Sequence, residues 1–410
     1  MQSVEQSPEA LKQRYLMIMH VPYYVDDVGA VWLDRIWHRD FIEHLTYIQH
    51  MLLLAPRRLK QEGEDLVRVD PPPGVTFEVR EVPPQTSMAR ALINLPATFA
   101  TFWRAASNAD IVHSNIAGWP FPLGWIMNPI ALLRGRKLVL VVESATWRLT
   151  GSEQDDWKRR VRSLVYERVA RFCVERADLT VCTQPTYRDS LFVDGRGRAV
   201  VIPATWINAE DVLDQDQAEA AWREKLARRV FRVLLPARLT ADKGIHVLID
   251  AIRRLDEAGV ELELGIIGAG ALRERCVELA RSTRSVQVSV LETVPYGPAF
   301  FELLREYETV LVPNLGDEQP RIIFDAYSQA VAVIASDTPG TRPCIEDGQT
   351  GRIVPRGDAE ALAEAIRSAA AERETWRRMG LAALAEARRH THRAMHHQRW
   401  NVLLECFGSG

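Results

Sequence analysis

The sequence predicts an α/β protein made of two doubly wound, Rossmann-like domains that face each other across a cleft. Short runs rich in Val, Ile and Leu alternate with longer helical patterns along the chain. Runs that are apolar on both faces are typical of parallel strands buried under helices. The chain has 410 residues, which is more than one hydrophobic core usually fills, so two domains of ordinary size are expected.

The predicted strands are six apolar runs in each half of the chain. In order they are YLMIMHV, MLLLAP, DIVHS, KLVLVVES, LTVCT and AVVIPA, then FRVLLPA, LELGIIG, VQVSVLE, TVLVPN, AVAVIAS and GRIVP. A polar, acidic stretch separates the two sets. We therefore place the first domain at residues 1–208, a linker at 209–230 and the second domain at 231–389. The tail, residues 390–410, is expected to form a helix that packs back on the first domain.

The composition argues against several classes of function. Lys and Arg total 51 and Asp and Glu 54, a net charge of -3, so nucleic acid is not an expected partner. The five cysteines are scattered without a C-x-x-C pair, which argues against a thiolate zinc site and a disulfide framework. No secretory signal or membrane-spanning run is recognised. The expectation is a cytoplasmic protein.

The segment GDEQPRIIFDA places two carboxylates around the predicted start of a helix. Pro320 suits a first helical turn, and the N–H groups of Arg321 and Ile322 after it would form an anion site. Asp317 precedes this turn and Asp325 follows it. Each acid could accept hydrogen bonds from hydroxyl groups, which suits a nucleotide sugar with its diphosphate at the helix start. The alternative is that both acids only interact with the helix dipole.

Two cations and a glycine follow other predicted strands of the second half. Arg238 and Lys243 lie in the loop of LLPARLTADKG, at a strand's carboxyl end, where open α/β sheets bind ligands. Together they would hold a diphosphate leaving group. In GIIGAG, Gly268 and the later Glu292 could indicate a dinucleotide fingerprint, but Arg273 replaces its third glycine. We interpret this turn as one edge of the donor pocket.

These segments together resemble the family 4 retaining glycosyltransferases of GT-B fold, over residues 232–356. DEQPRIIFDA is similar to the family's E-x7-E signature, with aspartate at both glutamate positions. The resemblance implies that Arg238 and Lys243 hold the donor diphosphate, that Asp325 binds the ribose and that Asp317 lies beside the transferred sugar. It also implies retention at the anomeric carbon, with the departing phosphate oxygen taking the acceptor's proton. No cofactor and no metal are expected.

The acceptor-side candidates lie in the first domain, where a GT-B enzyme mainly binds its acceptor. His113 and Asn115 end one predicted strand and Glu143 ends the next. Gly29 follows the first strand, where relatives carry a Gly-Gly loop that approaches the donor. A purely structural role for His113 stays open.

Two further patterns have alternative interpretations. The segment DDWKRRVRSLVYERVARF, residues 155–172, predicts a helix with an apolar face beside basic residues. It suits either peripheral contact with an anionic membrane or an ordinary solvated surface. The tail histidines are interpreted as surface residues rather than metal ligands, because no acid or cysteine stands among them; they are His390, His392, His396 and His397.

The leading functional hypothesis is sugar transfer from a nucleotide diphosphate sugar to a glycan, lipid-linked or small-molecule acceptor. Polysaccharide assembly is a plausible setting. One alternative is a nucleotide-sugar epimerase or hydrolase on the same fold, which would act without an acceptor. The other is a non-catalytic nucleotide-sugar-binding subunit, which the Asp-for-Glu changes favour.

Overall fold

The computed structural model describes residues 10–60, 64–118, 121–149 and 156–408. Its strands are β1 (Leu11–Ile18), β2 (Tyr23–Val25), β3 (Val31–Asp34), β4 (Ile48–Ala55), β5 (Arg57–Leu59), β6 (Leu66–Arg68), β7 (Thr76–Glu81), β8 (Ile111–Asn115), β9 (Lys137–Val142), β10 (Leu179–Cys182), β11 (Arg198–Val201), β12 (Phe231–Pro236), β13 (Leu262–Ile267), β14 (Val286–Leu291), β15 (Thr309–Val312), β16 (Ala332–Ser336) and β17 (Gly351–Val354). Its α-helices are α1 (Arg35–Leu45), α2 (Met88–Ile93), α3 (Leu95–Ser107), α4 (Gly124–Leu133), α5 (Trp157–Arg176), α6 (Pro185–Leu191), α7 (Gln215–Ala227), α8 (Ile245–Glu257), α9 (Arg273–Ser282), α10 (Pro298–Arg305), α11 (Ile322–Ser328), α12 (Ala359–Ala371), α13 (Arg373–Arg389) and α14 (His392–Phe407).

Two parallel sheets form the centres of two α/β domains. The first has seven strands in the order β11-β10-β9-β8-β1-β4-β7, and the second has six in the order β14-β13-β12-β15-β16-β17. Neighbouring strands run parallel throughout both sheets. The strand order reverses between β1 and β8 and again between β12 and β15. Open α/β sheets bind ligands at the carboxyl ends beside such reversals, so each domain offers one crevice.

The twelve predicted strands all form, which confirms the predicted fold class. The edge strand β7 and a small sheet in the order β5-β2-β3-β6 were not predicted from the sequence. All six residues of β7 are exposed or half-buried, so this strand lacks the two apolar faces on which the prediction relied.

Most of the segment expected to be a linker forms helix α7, which packs on the second domain. Helix α7 places Ala218 and Trp222 in the second hydrophobic core, and both are fully buried. The Trp222 indole N–H donates to the carbonyl oxygen of Ala330 at 2.8 Å. This packing is not evident from the sequence because the polar face of α7 dominates its composition, while its buried face holds few residues.

The last helix, α14, crosses to the first domain. Met395 and Leu403 pack into the first domain's core, and the side-chain amide of Gln13 donates to the carbonyl oxygen of Phe407 at 2.8 Å. His392 and His396 are buried here, so their interpretation as surface residues is wrong. Of the other two, His390 is half-buried and His397 is exposed.

Helix α5 presents an apolar face to solvent. Trp157, Val161 and Leu164 have relative exposures of 67%, 52% and 53%. Asp155, the first residue of the predicted segment, lies outside the described residues. Across the described part of the chain, none of the helices combines the length and apolar character needed to span a bilayer.

Candidate functional site

The donor-side candidates gather at the strand-order reversal of the second sheet. Arg238 and Lys243 follow β12, and Asp317 follows β15. Gly244 has φ of +72°, and a Cβ there would lie 1.8 Å from the carbonyl oxygen of Pro313. Only glycine tolerates so close an approach, which brings the loop after β12 against the loop after β15.

Gly268 performs a similar function on the other side of Arg238. Its φ is +148°, and a Cβ there would lie 1.8 Å from the carbonyl oxygen of Ala237. The GIIGAG turn is therefore pressed against the loop that carries Arg238. Glu292, by contrast, has a side chain that is 92% exposed and paired with Arg273 at 3.1 Å.

Glu318 pairs with both cations of the site. Its Oε1 lies 2.5 Å from Nζ of Lys243 and 3.6 Å from Nη2 of Arg238. The Lys243 side chain is 13% exposed and that of Glu318 is 31% exposed, so solvent screens this pair incompletely. Sequence reasoning missed Glu318, although it directly follows Asp317.

Asp317 lies where the two domains meet. Its carboxylate is 3.3 Å from Nη1 of Arg356, and its backbone carbonyl accepts a hydrogen bond from Nε2 of Gln184 at 2.5 Å. Gln184 caps the start of α6 in the first domain. The carboxylate thus lies on the cleft side of the second domain.

Asp325 is buried rather than open to the cleft. It is 5% exposed and accepts a hydrogen bond from the Tyr296 hydroxyl at 2.8 Å. Burial raises the pKa of Asp325 to about 7. A ribose hydroxyl would have to approach the carboxylate beside Tyr296.

The helix between the two acids begins later than the sequence indicates. Helix α11 starts at Ile322, two residues beyond Pro320, and is seven residues long. The amide of Ile323 donates to the carbonyl oxygen of Pro320 at 3.2 Å. This N–H group is therefore not free to bind an anion. The side chain of Arg321 lies over the ring of Trp206, 5.1 Å from its centroid.

Three acceptor-side candidates line one cavity in the first domain. His113, Asn115 and Glu143 stand at the carboxyl ends of β8 and β9, around a cavity of about 450 Å³. Nδ1 of His113 is 3.0 Å from the Tyr15 hydroxyl. Burial lowers the pKa of His113 to about 3, so the imidazole is uncharged at neutral pH.

Gly29 lies apart from this cavity. It has φ of +82° in the turn between β2 and β3, where its amide donates to the carbonyl oxygen of Asp26 at 3.0 Å. A Cβ at this position would meet nothing within 4 Å. None of the residues of this turn is among those that line the cavity.

Sequence reasoning also missed part of the cavity lining. Asp40 and His44 of α1, together with Arg399 of α14, contribute to it. Asp40 and His44 are four residues apart on one helix, a spacing that places both on the same face. This spacing was the sequence signal that could have indicated a shared site. Their partners on α14 could not be recognised in the same way, because they are more than 340 residues away along the chain.

Both halves of the chain match glycosyltransferase family models. Residues 47–205 match the model described as glycosyl transferase 4-like domain, and residues 230–372 match glycosyl transferases group 1. The putative colanic acid biosynthesis glycosyltransferase WcaL of Salmonella typhimurium is 29% identical over 133 residues, 31% of this chain and 33% of WcaL. Phosphatidyl-myo-inositol mannosyltransferase of Mycobacterium leprae is 32% identical over 128 residues, 30% of this chain and 33% of the relative.

The aligned segments span about a third of the length of these curated relatives. Among solved structures, Anabaena HepE in complex with UDP superposes with a TM-score of 0.64. That alignment covers 96% of this chain and 100% of HepE at 16% sequence identity. It establishes the two-domain fold over nearly the whole chain.

Proposed function

Because this chain belongs to the family 4-like glycosyltransferases of GT-B fold, we propose that it transfers a hexosyl group from a nucleotide diphosphate sugar to an acceptor hydroxyl. The observation that carries the proposal is the convergence of Arg238, Lys243 and Asp317 at the reversal of the second sheet. HepE, which shares the fold, binds UDP and UDP-glucose. A nucleoside diphosphate sugar is therefore the proposed donor class here.

The proposed mechanism uses the two cations as a diphosphate clamp. The bond between the anomeric carbon and the phosphate oxygen breaks, and a bond to the acceptor oxygen forms on the same face, with retention. The departing phosphate oxygen takes the acceptor's proton. Arg238 and Lys243 stabilise the charge on the leaving group, while Asp317 accepts hydrogen bonds from the hexose hydroxyls. Chemistry of this type depends on positioning and electrostatics and requires no metal.

Glu318 has to leave the cations before the diphosphate can occupy their place. In the structure its carboxylate holds the position between Lys243 and Arg238. A diphosphate carries more negative charge and more acceptor oxygens than one carboxylate, so it can displace Glu318. We propose that this exchange accompanies donor binding.

The acceptor is proposed to enter the cavity lined by His113, Asn115 and Glu143. The cavity lies in the first domain, while Asp317 marks the cleft side of the second. The apolar and basic α5 supports a lipid-linked acceptor presented at an anionic membrane surface. The name of the Mycobacterium leprae relative indicates that it acts on a phosphatidylinositol lipid, which favours this class over a free sugar.

The test combines donor binding with turnover. Thermal-shift measurements with UDP, GDP, ADP and their sugar conjugates should identify one base whose diphosphate raises the melting temperature. Lys243→Ala should abolish that shift and lower kcat/KM by about 10²-fold. Arg253→Ala, at an exposed position of α8, is the matched control. A Lys243→Ala enzyme with normal turnover would refute the clamp, and nucleotide release that is independent of acceptor would favour a hydrolase.

A further inference from the structure

A buried cluster of acid and imidazole groups joins α1 to α14. Asp40 and His44 are four residues apart on α1, and His392 and His396 are four apart on α14. Such pairs lie on one face of a helix. The three imidazoles are 2%, 1% and 2% exposed in the order His44, His392 and His396. Two helices thus direct four potential metal ligands into one buried space.

The ligand atoms converge on the Asp40 carboxylate. Its Oδ1 is 3.1 Å from Nε2 of His396 and 3.3 Å from Nε2 of His392. The His44 ring lies against the His396 ring, with 4.6 Å between their centroids. One ligand atom from each of Asp40, His44 and His396 lies within 4.8 Å of the other two. Small side-chain adjustments would bring these atoms to the roughly 2 Å from a common centre that a zinc ion requires.

The outer hydrogen bonds are those that metal-binding histidines make. Nδ1 of His44 is 2.9 Å from the carbonyl oxygen of Asp40, and a carbonyl only accepts, so the lone pair of this ring is on Nε2. Nδ1 of His396 is 2.9 Å from the Tyr47 hydroxyl. Ligating histidines usually fix their second nitrogen in this way on a carbonyl or another oxygen.

The protonation states also suit metal binding. Burial lowers the pKa of His44 to about 3 and that of His396 to about 4. Burial acts to raise the pKa of Asp40, but hydrogen bonds from His392 and His396 hold it well below its usual value. Uncharged imidazoles and an ionised carboxylate are the forms that bind a metal.

We infer that Asp40, His44 and His396 form a binding site for a zinc-class divalent cation at the junction of α1 and α14, with His392 beside them on Oδ1 of Asp40. Imidazoles with one carboxylate favour Zn²⁺ over Mg²⁺ and Ca²⁺, which prefer oxygen ligands. On binding, His396 moves its proton from Nε2 to Nδ1, where the Tyr47 hydroxyl oxygen accepts the hydrogen bond. The bound ion would fasten the last helix to the first domain beside the acceptor cavity, apart from the donor diphosphate.

Arg399 is the competing cation at this site. Its Nη1 lies 4.0 Å from Oδ1 of Asp40, and its Nε has no hydrogen-bond partner among the described residues. Because like charges repel strongly in a poorly solvated site, the guanidinium must turn toward the cavity that it lines. Removing its charge should strengthen metal binding.

The test is a titration of the full chain, stripped with a chelator, with ZnCl₂ and CoCl₂. We expect one Zn²⁺ per chain by calorimetry and elemental analysis, a higher melting temperature, and intense visible absorption from tetrahedral Co²⁺. MgCl₂ should give none of these effects. His396→Gln should weaken Zn²⁺ binding at least about tenfold, whereas His397→Gln, an exposed control on the same helix, should bind normally.

Two more variants keep the test decisive. Arg399→Gln should bind Zn²⁺ several-fold more tightly. If His396→Gln fails to fold, Tyr47→Phe keeps the ring and removes only the hydrogen bond to His396, and it should weaken binding about tenfold. Absence of stoichiometric Zn²⁺ binding to the wild type, or unchanged binding in the His396 or Tyr47 variant, would overturn the inference.

Discussion

Glu318 is the residue that competes with a bound diphosphate in the proposed reaction. Replacing it with glutamine keeps its size and removes the charge that pairs with Lys243 and Arg238. A partly exposed ion pair contributes up to about 1 kcal/mol, so Glu318→Gln should bind the nucleoside diphosphate about fivefold more tightly. Calorimetric titration of both proteins measures this change.

The control for this prediction is Glu257→Gln, which removes the same charge from an exposed position at the end of α8. It should leave the affinity unchanged. Weaker binding by Glu318→Gln would show instead that Glu318 contacts the donor directly. Equally tighter binding by both variants would mean that the effect comes from the overall charge of the protein.

Asp325 should make stability depend on pH in a defined direction. Its pKa of about 7 in the folded protein, raised by burial, exceeds the usual value of about 4 for an unfolded chain. The folded state therefore binds the extra proton between these values, and its contribution to the free energy of unfolding falls as pH rises from about 4 to 7. Asp325→Asn should remove this contribution.

The measurement is urea unfolding of wild type and Asp325→Asn at pH 5 and pH 8. Buried neutral histidines such as His44 act in the opposite direction, so the difference between the two proteins is the informative quantity. The asparagine variant should gain stability relative to wild type as pH rises. A constant difference would mean that Asp325 titrates normally.

Individual site residues differed in how far the sequence could predict them. Arg238 and Lys243 were recognisable because they follow a strand of unmistakable apolar character, and the carboxyl ends of such strands meet at one edge. Glu318 was not, since no local pattern says which cation a loop carboxylate contacts. The burial of His392 and His396 depends on contacts with α1, where Asp40 is 352 residues from His392 along the chain.

At the scale of elements, α5 should determine attachment to anionic membranes. Its face of Trp157, Val161 and Leu164 is exposed, and basic residues flank it. Burying apolar surface and pairing with anionic lipids both favour adsorption. The double variant Trp157→Glu and Leu164→Glu should reduce flotation with vesicles of anionic phospholipid severalfold.

The matched control is Leu133→Glu at the end of α4, where the side chain is 76% exposed. It adds one negative charge, half of what the double variant adds, to another exposed apolar position of the first domain. If wild type does not float with anionic vesicles, or if the control behaves like the double variant, α5 is not a membrane-binding element.

Strands with two apolar faces were predictable from the sequence, whereas the edge strand β7 and the packing of helix α7 were not. The central strands can be identified from their continuous apolar runs, because both of their faces are buried. Strand β7, at the sheet edge, has only half-buried and exposed residues. Helix α7 contacts its core mainly through Ala218, Trp222 and Leu226, while the rest of its sequence is largely polar. The start of α11 was misplaced by two residues because Pro320 is compatible with a preceding turn as well as with a first helical turn.

At the scale of the whole molecule, Gln319 ties the two domains together. Its side-chain oxygen accepts from the amide of Ala204 at 2.8 Å, and its side-chain nitrogen donates to the Ala204 carbonyl at 2.9 Å. Gln319→Ala should lower the free energy of unfolding by about 1–2 kcal/mol. It should also speed proteolysis between residues 203 and 214, because the segment that leaves the first domain loses this anchor.

Gln349→Ala, at an exposed turn, is the control and should behave like wild type. Unchanged proteolysis in Gln319→Ala would mean that other contacts, such as the Gln184 bond to Asp317, hold the domains in place without it.

The return of α14 to the first domain makes the second domain an insertion within the first. The chain leaves the first domain near Ile207 and re-enters at His392, and the His392 amide donates to the carbonyl oxygen of Ile207 at 2.7 Å. The point where the chain leaves the first domain therefore lies next to the point where it returns. A short graft from residue 207 to residue 392 would remove the second domain and keep α14 on the first, so that the proposed acceptor cavity could be studied apart from the proposed donor site.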